Sequence, residues 1–410
     1  MVDLIVVLIV LGCAALLYLK STLVKAFASL IVAVCASVVA FGYFELLANV
    51  FIGRDLLIPW AQPISFALLF ILTFAVLQTA AIQLIRQPVD LGLWPERIGR
   101  VVCGIFLGLF LSGLLLTALA MAPIPNKYPY QRFDQRYPDA EHPNKVLLNP
   151  DGLATGLFGV ISSGSLSGKR SFATLHPDFI DQAFLNRHNT SEGVPGITKS
   201  QAIEVPKKNA AWYAPEGIKD SEGNPISPKS GHVLTIVRIG IKQNAVVQAG
   251  TFTPAQLRLV CKQQADARNP LAGKGQIVYP IGYIAGSDLL QTKRLSDVIR
   301  VSRSDFGAND RTRWIDFAFY VPAGLVPVLV EFKQNSIAEV PTLVSPEQAP
   351  TPIPFVPSSG SENNPSPPNN TSRPQTSGRP TQPKNTSDKK GIGLSPLTRP
   401  LVGPQLDDYK

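Results

Sequence analysis

Charge, cysteine and histidine are all scarce in this chain of 410 residues. Only 16% of the residues are charged, against about 25% in ordinary globular proteins. The four cysteines are Cys13, Cys35 and Cys103, all within apolar runs, and Cys261, alone in the polar part. That placement excludes a disulfide inside the polar part and leaves no paired spacing for zinc. Cys261 reads as a small buried hydrophobe in a strand region. The four histidines, His142, His176, His188 and His232, supply few candidate bases. His176 with Asp178, near Ser171, is the one cluster that invites a triad reading, but Pro177 separates the pair and nothing orients it. The stretch reads instead as a helix start, with Pro177 and Asp178 in the first turn. Ser163-Gly164-Ser165-Leu166-Ser167-Gly168-Lys169-Arg170 lacks the Gly and the Ser or Thr that a phosphate loop needs. Leu166 also removes the nucleophile elbow. The expectation is a non-enzymatic chain with no catalytic residues, cofactor or metal.

What the sequence has is long apolar runs. A transmembrane helix needs roughly 20 mostly apolar residues, and four stretches qualify: about Leu4 to Leu19, Ala26 to Ile52, Ile64 to Ile85 and Val101 to Ala122. Residues 1–122 carry six basic and five acidic residues, and the rest carry 32 and 24. The net charge of +9 thus divides as +1 and +8, which excludes a uniform nucleic-acid-binding chain. Val10-Leu11-Gly12-Cys13 approaches a lipobox, but Met1-Val2-Asp3 is no basic leader and three more apolar spans follow. Loop one carries Lys20 and Lys25 and loop three carries Arg86, Arg97 and Arg100, whereas loop two has only Arg54 beside Asp55. The positive-inside rule then puts loops one and three in the cytoplasm and everything after Ala122 outside it.

Within the spans, Gly104, Gly108 and Ser112 fall four apart and form a stripe on which another helix can pack closely. Glu45, Gln78 and Gln83 are the polar residues within or near spans two and three. A carboxylate at that depth is a functional-site candidate, and the three together would form an intramembrane polar path. Glu45, near the outer end of its span, also suits a structural role. No span is broken by Pro in the manner of many transporters.

The order of Asp3 opening span one, a short basic loop from Lys20 to Lys25, a long apolar span, and a last span with Gly104 and Gly108 resembles the colicin V production protein (CvpA) family. The family usually carries Gly and Arg in the first loop and an acidic residue before the glycine pair, where this chain has Lys20 to Lys25 and Arg100. The resemblance covers about residues 1–122. It implies a bacterial inner-membrane protein associated with toxin production or export and envelope homeostasis.

Residues 123–230 are rich in Pro, Asn, Gly and Ser and read as a membrane-proximal connector. Leu153, Leu157, Phe158 and Ile161 share one helical face, and Ile180, Phe184 and Leu185 another. From His232 the period becomes two: Val233, Thr235, Val237 and Ile239, then Ile315, Phe317, Phe319 and Val321, then Val326, Val328, Val330 and Phe332. Shorter strands are expected near Asn244 to Gln248, Gln256 to Val260, Gln276 to Ile284 and Asp297 to Val301. About seven strands in residues 231–345 predict a β-sandwich. Phe317-Ala318-Phe319-Tyr320-Val321-Pro322-Ala323-Gly324 and the Val-rich strand after it resemble the end of small immunoglobulin-like bacterial domains. Residues 346–410 include fourteen prolines and no periodicity, the composition of a disordered tail. The fold class expected is membrane α plus all-β: four transmembrane helices, an extracytoplasmic β-sandwich and that tail.

The β region carries thirteen basic and eight acidic residues, with Arg258, Lys262, Lys293, Arg294, Arg300, Arg303, Arg311 and Arg313 among the former. Such a field attracts anionic partners. The partners expected are membrane lipids, other envelope or export proteins, a second copy of the chain and an anionic envelope surface, with no nucleic acid. The role expected is a membrane assembly or scaffold component; the alternative is a transport component whose polar path runs through associated spans.

Overall fold

Sustained runs of Leu, Val, Ile, Ala and Phe leave residues 1–122 little choice but helix, since lipid offers backbone groups no partner. The computed structural model describes residues 1–85, 92–164, 170–227 and 229–357 and contains four long apolar helices. These are α1 (Val2–Lys20), α2 (Leu23–Gly53), α3 (Ala61–Leu84) and α4 (Leu93–Met121). Arg86 of the third loop, five residues of the Ser163–Arg170 stretch and nearly all of the proline-rich tail lie outside the described residues.

The bundle is a row in the order α1-α4-α2-α3, bent so that α3 also touches α4. Helix α4 packs against α1 and α2, and α3 packs mainly on α2. Both outer helices expose apolar residues such as Leu4, Leu8 and Leu11 of α1 and Ile71, Leu72 and Val76 of α3, the pattern of surfaces that face lipid. At 31 and 29 residues, α2 and α4 are about 46 and 43 Å long, well beyond a hydrocarbon core of about 30 Å.

Among the described residues, three α-helices follow: α5 (Pro150–Ser163), α6 (Phe172–Leu175) and α7 (Phe179–Asn186). The helix expected to start at His176-Pro177-Asp178 begins later, with Asp178 as the residue capping α7. The proline explains the difference. A residue preceding Pro is pushed out of the α region, so His176 leaves α6 at φ −133°, and Pro177 falls between two helices.

Among the described residues, twelve strands form the β domain: β1 (Ile203–Glu204), β2 (Ala211–Tyr213), β3 (His232–Lys242), β4 (Thr251–Phe252), β5 (Leu257–Gln263), β6 (Gln276–Val278), β7 (Pro280–Ile284), β8 (Leu290–Thr292), β9 (Ile299–Arg300), β10 (Thr312–Pro322), β11 (Leu325–Phe332) and β12 (Ser336–Glu339). One sheet has the order β1-β3-β10-β7-β8, with β2 also on β3; the other runs β12-β11-β5-β6; β4 and β9 form a separate pair. The pairings between these strands are antiparallel. The long β3 and β10 align over their whole lengths, from Thr312 opposite Lys242 to Pro322 opposite His232.

Val237, Ile239 and Ile241 of β3 and Ile315, Phe317 and Phe319 of β10 bury one face against Leu257, Leu259 and Cys261 of β5 and Val330 and Phe332 of β11. Two antiparallel sheets thus share one sandwich-like core. Cys261 is fully buried there, and burial pushes its thiol up to about 12. Leu234 and Ile236 on the opposite face of β3 pack with Trp212, Ile284 and Leu290, so β3 is buried on both sides.

Two expectations change. The sheet starts in the connector, because β1 and β2 pair with β3 and supply hydrogen bonds to an edge that would otherwise lack partners. The segment Asn244 to Gln248 is not a strand. A short 3-10 turn, Gln243–Ala245, leads into α8 (Val246–Ala249), whose Ala245, Val246 and Ala249 side enters the core.

Candidate functional site at the joint between bundle and β domain

The helical bundle does not end where the polar chain begins. Phe41 and Phe44 of α2 and Phe66 of α3 share one buried cluster with Phe158, Phe179 and Phe184 of the short helices. Phe41 stacks on Phe158 with ring centroids 4.9 Å apart and meets Phe66 edge-on at the same distance. Bundle and β domain belong to one compact unit, Met1–Ser359. On the opposite side of α2, Tyr43, Leu46 and Val50 are exposed. The end of α2 therefore has one face in protein and one open to lipid.

Glu45 lies on that boundary. Its Oε1 is 2.5 Å from Nε2 of His176, and its Oε2 accepts a hydrogen bond from the Arg170 guanidinium at 2.8 Å. Behind His176 the polar chain continues inward. The Gln182 amide donates to Oε1 of Glu331 at 2.7 Å, which orients its own oxygen toward Nδ1 of His176 at 2.8 Å. Arg258 donates through Nε to Oε2 of Glu331 at 3.1 Å and through a terminal nitrogen to the Leu175 carbonyl at 2.6 Å. Arg258 and Glu331 are register partners across β5 and β11, so the sheet itself brings this ion pair together. His176, Gln182, Arg258 and Glu331 are all at least 97% buried.

The geometry determines what each group can do. An ionised carboxylate only accepts, so Nε2 of His176 donates to Glu45. Nδ1 sits between the Gln182 oxygen and an Arg258 nitrogen 3.0 Å away. The Gln182 oxygen and the Arg258 nitrogen thus hold the ring in place from its Nδ1 side. A cavity of about 390 Å³, lined by Glu45, Arg170, His176, Phe41, Phe158 and Phe172 among others, reaches the outer end of this chain. No group of three or more His, Cys, Asp or Glu residues suited to a metal occurs among the described residues.

A second set of contacts ties the exit of α4 to α7. Arg187 donates to the carbonyls of Leu119 at 3.0 Å and Ala122 at 3.3 Å, and also to Tyr128. A cation at a helix C-terminus satisfies orphan carbonyls and opposes the helix dipole. Burial pulls Arg187 down to about 10. Nearby, Arg132 pairs with Asp181 and donates at 2.6 Å to the Tyr130 hydroxyl, which bonds Asp151. At the other end of the row, Oδ1 of Asp3 accepts from the Leu147 backbone at 2.9 Å, so the start of α1 also touches the polar region.

Of the three polar residues expected to line one path, Glu45 stands apart from Gln78 and Gln83. Gln78 donates to the Ser29 hydroxyl at 2.8 Å, near the opposite end of α2 from Glu45. Sixteen residues of helix place those two points of α2 about 24 Å apart. Gln83 lies one residue before the end of α3, on the Gln78 side. Gly104 and Gly108 do mark a close approach, but to α1 of the same chain. A Cβ on Gly104 would stand 2.5 Å from the Ala14 Cα, and one on Gly108 would stand 2.6 Å from the Val10 Cα. Ser112 is buried, with its hydroxyl bonded to the Leu109 carbonyl at 2.8 Å.

The basic surface of the β domain is smaller than its composition suggests. Arg258 is consumed by Glu331, and Lys262 is buried with its ammonium on the carbonyls of Asn269, at 2.7 Å, and Ala272. A buried cation is retained only where pairing or hydrogen bonds offset its desolvation, and both residues meet that condition. Sequence reading did not single out Gln182 or Glu331, counted Arg258 in a basic field, and took His176 as part of a helix start. The one available signal was a Glu in the apolar run Val328 to Phe332, where a strand buried on both faces leaves an acid nowhere to go without a partner. No known protein family, characterised protein or solved structure matches the chain.

Proposed function

We propose that this chain is a non-enzymatic, CvpA-like scaffold of the bacterial inner membrane that holds a β domain fixed at the extracytoplasmic face for assembly with envelope or export components. The observation that carries the reading is the joint: Glu45 of a membrane helix engages His176, which leads through Gln182 to the Glu331–Arg258 pair inside the β domain. A tethered module needs only a flexible linker, whereas a buried polar chain fixes orientation because each group has one set of partners. A fixed orientation is what a docking platform requires.

The basic residues Lys20, Lys25, Arg97 and Arg100, which lie at or near the ends of the helices on one side of the bundle, support the outward placement of the β domain. The resemblance of residues 1–122 to the CvpA family supports a role in toxin production or export and in envelope homeostasis. The end of the β10 strand and the strand after it support an immunoglobulin-like relationship. The separation of Glu45 from Gln78 favours the scaffold over a transport path.

The test is photo-crosslinking in intact membranes, using the full chain with a reactive residue at an exposed β-domain position such as Arg300. The expected result is a discrete set of envelope proteins captured by the parent chain and lost when Glu45→Ala and His176→Ala are combined. Capture that survives this uncoupling, in protein shown to be folded, would overturn the fixed-platform reading. A phosphatase fused after residue 357 reports the side of the membrane, and activity only in lysed cells would overturn the topology.

A further inference from the structure

A cleft of about 780 Å³ opens between the start of α1 and the chain that leaves α4. Its walls include Val2, Ile5, Leu119, Ile124, Tyr128 and Val146. Two lysines stand in the same lining, Lys127 and Lys145. Both are exposed, and among the described residues neither pairs with a carboxylate. Lys127 lies over the Tyr128 ring, 5.3 Å from its centroid. The acid in the lining, Asp3, already accepts the Leu147 backbone N–H.

The height of the cleft is given by its neighbours. It sits where α1 starts and α4 ends, the level at which spans meet headgroups. Below it, Leu4 and Leu8 of α1 continue as exposed apolar surface. Beside it, Leu147 and Leu148 are more than half exposed, and they lead into Leu153, Leu157 and Val160 on the outer side of α5. In water, five exposed aliphatic residues along one helix and its lead-in would be a liability. At the membrane surface they are the apolar side of an in-plane helix.

We infer that this cleft is a binding site for an anionic phospholipid, with acyl chains against Ile5, Leu119 and Val146 and the phosphate held by Lys127 and Lys145. Apolar walls alone would accept any lipid; the two unpaired lysines select for negative charge. A basic residue at a membrane surface favours anionic lipid by about five-fold, so two contribute roughly 25-fold.

The experiment is native mass spectrometry of the full chain in detergent, titrated separately with phosphatidylglycerol and with phosphatidylcholine. Phosphatidylglycerol should bind in preference to phosphatidylcholine, and Lys127→Ala with Lys145→Ala should weaken it by roughly 25-fold and abolish the preference. Lys208→Ala, an exposed lysine outside the cleft lining, should leave the preference intact. Both target lysines are surface residues, so the variants fold, which a thermal melt verifies. Equal binding of the two lipids by the parent chain, or a preference that persists in the double variant, would overturn the inference.

Discussion

His176 and Glu45 meet at 2.5 Å although 131 positions separate them, one at the end of a four-residue helix and the other in a membrane helix. Their contact carries the bundle's orientation into the β domain. Glu45→Ala removes the acceptor of both His176 and Arg170. Leaving a mostly buried donor unsatisfied costs about 1–3 kcal/mol. The expected outcome is a lowered midpoint in thermal unfolding of the detergent-solubilised chain, together with faster hydrogen exchange in α6 and α7. Exchange unchanged from the parent would contradict the coupling.

Glu331→Gln should be more damaging. It leaves the Arg258 charge buried without its carboxylate, a change that costs on the order of 3–5 kcal/mol. Replacing both members, Arg258→Met with Glu331→Leu, removes the unpaired charge and should recover most of that loss. Denaturant unfolding of the single and double variants decides it, and a double variant less stable than Glu331→Gln would show that the pair's surroundings matter more than its charges.

Lys333 gives a pH dependence with a definite sign. Its ammonium is buried, bonded to the carbonyls of Gln248 at 2.5 Å and Thr251 at 2.7 Å, and burial brings it down to about 7. An unfolded lysine titrates near 10.4. Between about pH 7 and 10 the unfolded chain therefore holds the extra proton, and stability rises with pH by up to about 1.4 kcal/mol per unit. The parent chain should gain unfolding midpoint across that window, and Lys333→Met should lose that rise. Parallel pH profiles of the two proteins would refute the assignment to Lys333.

Gly108→Leu should displace α1, because even a Cβ would reach within 2.6 Å of the Val10 backbone. Gly12, on α1, has open space where a side chain would begin, with nothing within 4 Å of a Cβ, so Gly12→Leu should be tolerated. The measurement is the yield of monodisperse protein after solubilisation, expected to fall several-fold for the first variant and to hold for the second. Equal yields would mean that the close approach is dispensable.

The helices of the bundle were legible because lipid enforces them: a run such as Val101 to Ala122 has one secondary structure available when its backbone must bond internally. The long strands were legible for a related reason, since Ile315, Phe317 and Phe319 can reach one core only with a period of two. Short elements were less so. Nothing in Ala211 to Tyr213 marks a strand until β3 offers an edge, and the Asn244 to Gln248 segment turns helical because its small residues fit the core that way. The glycine stripe was readable as a packing face, but its partner, α1 of the same chain, was a matter of how the row assembles.

By itself, then, the sequence determined which parts of the chain meet lipid and which form sheets, because hydrophobic period is a local property. Only the tertiary structure decided where the charges go. Glu45 at the edge of a span, His176 before a proline, Gln182, Arg258 and Glu331 lie on five different elements or their ends, and no spacing in the chain connects them. They form one site because folding desolvates all of them together, and buried polar groups persist only where they find one another.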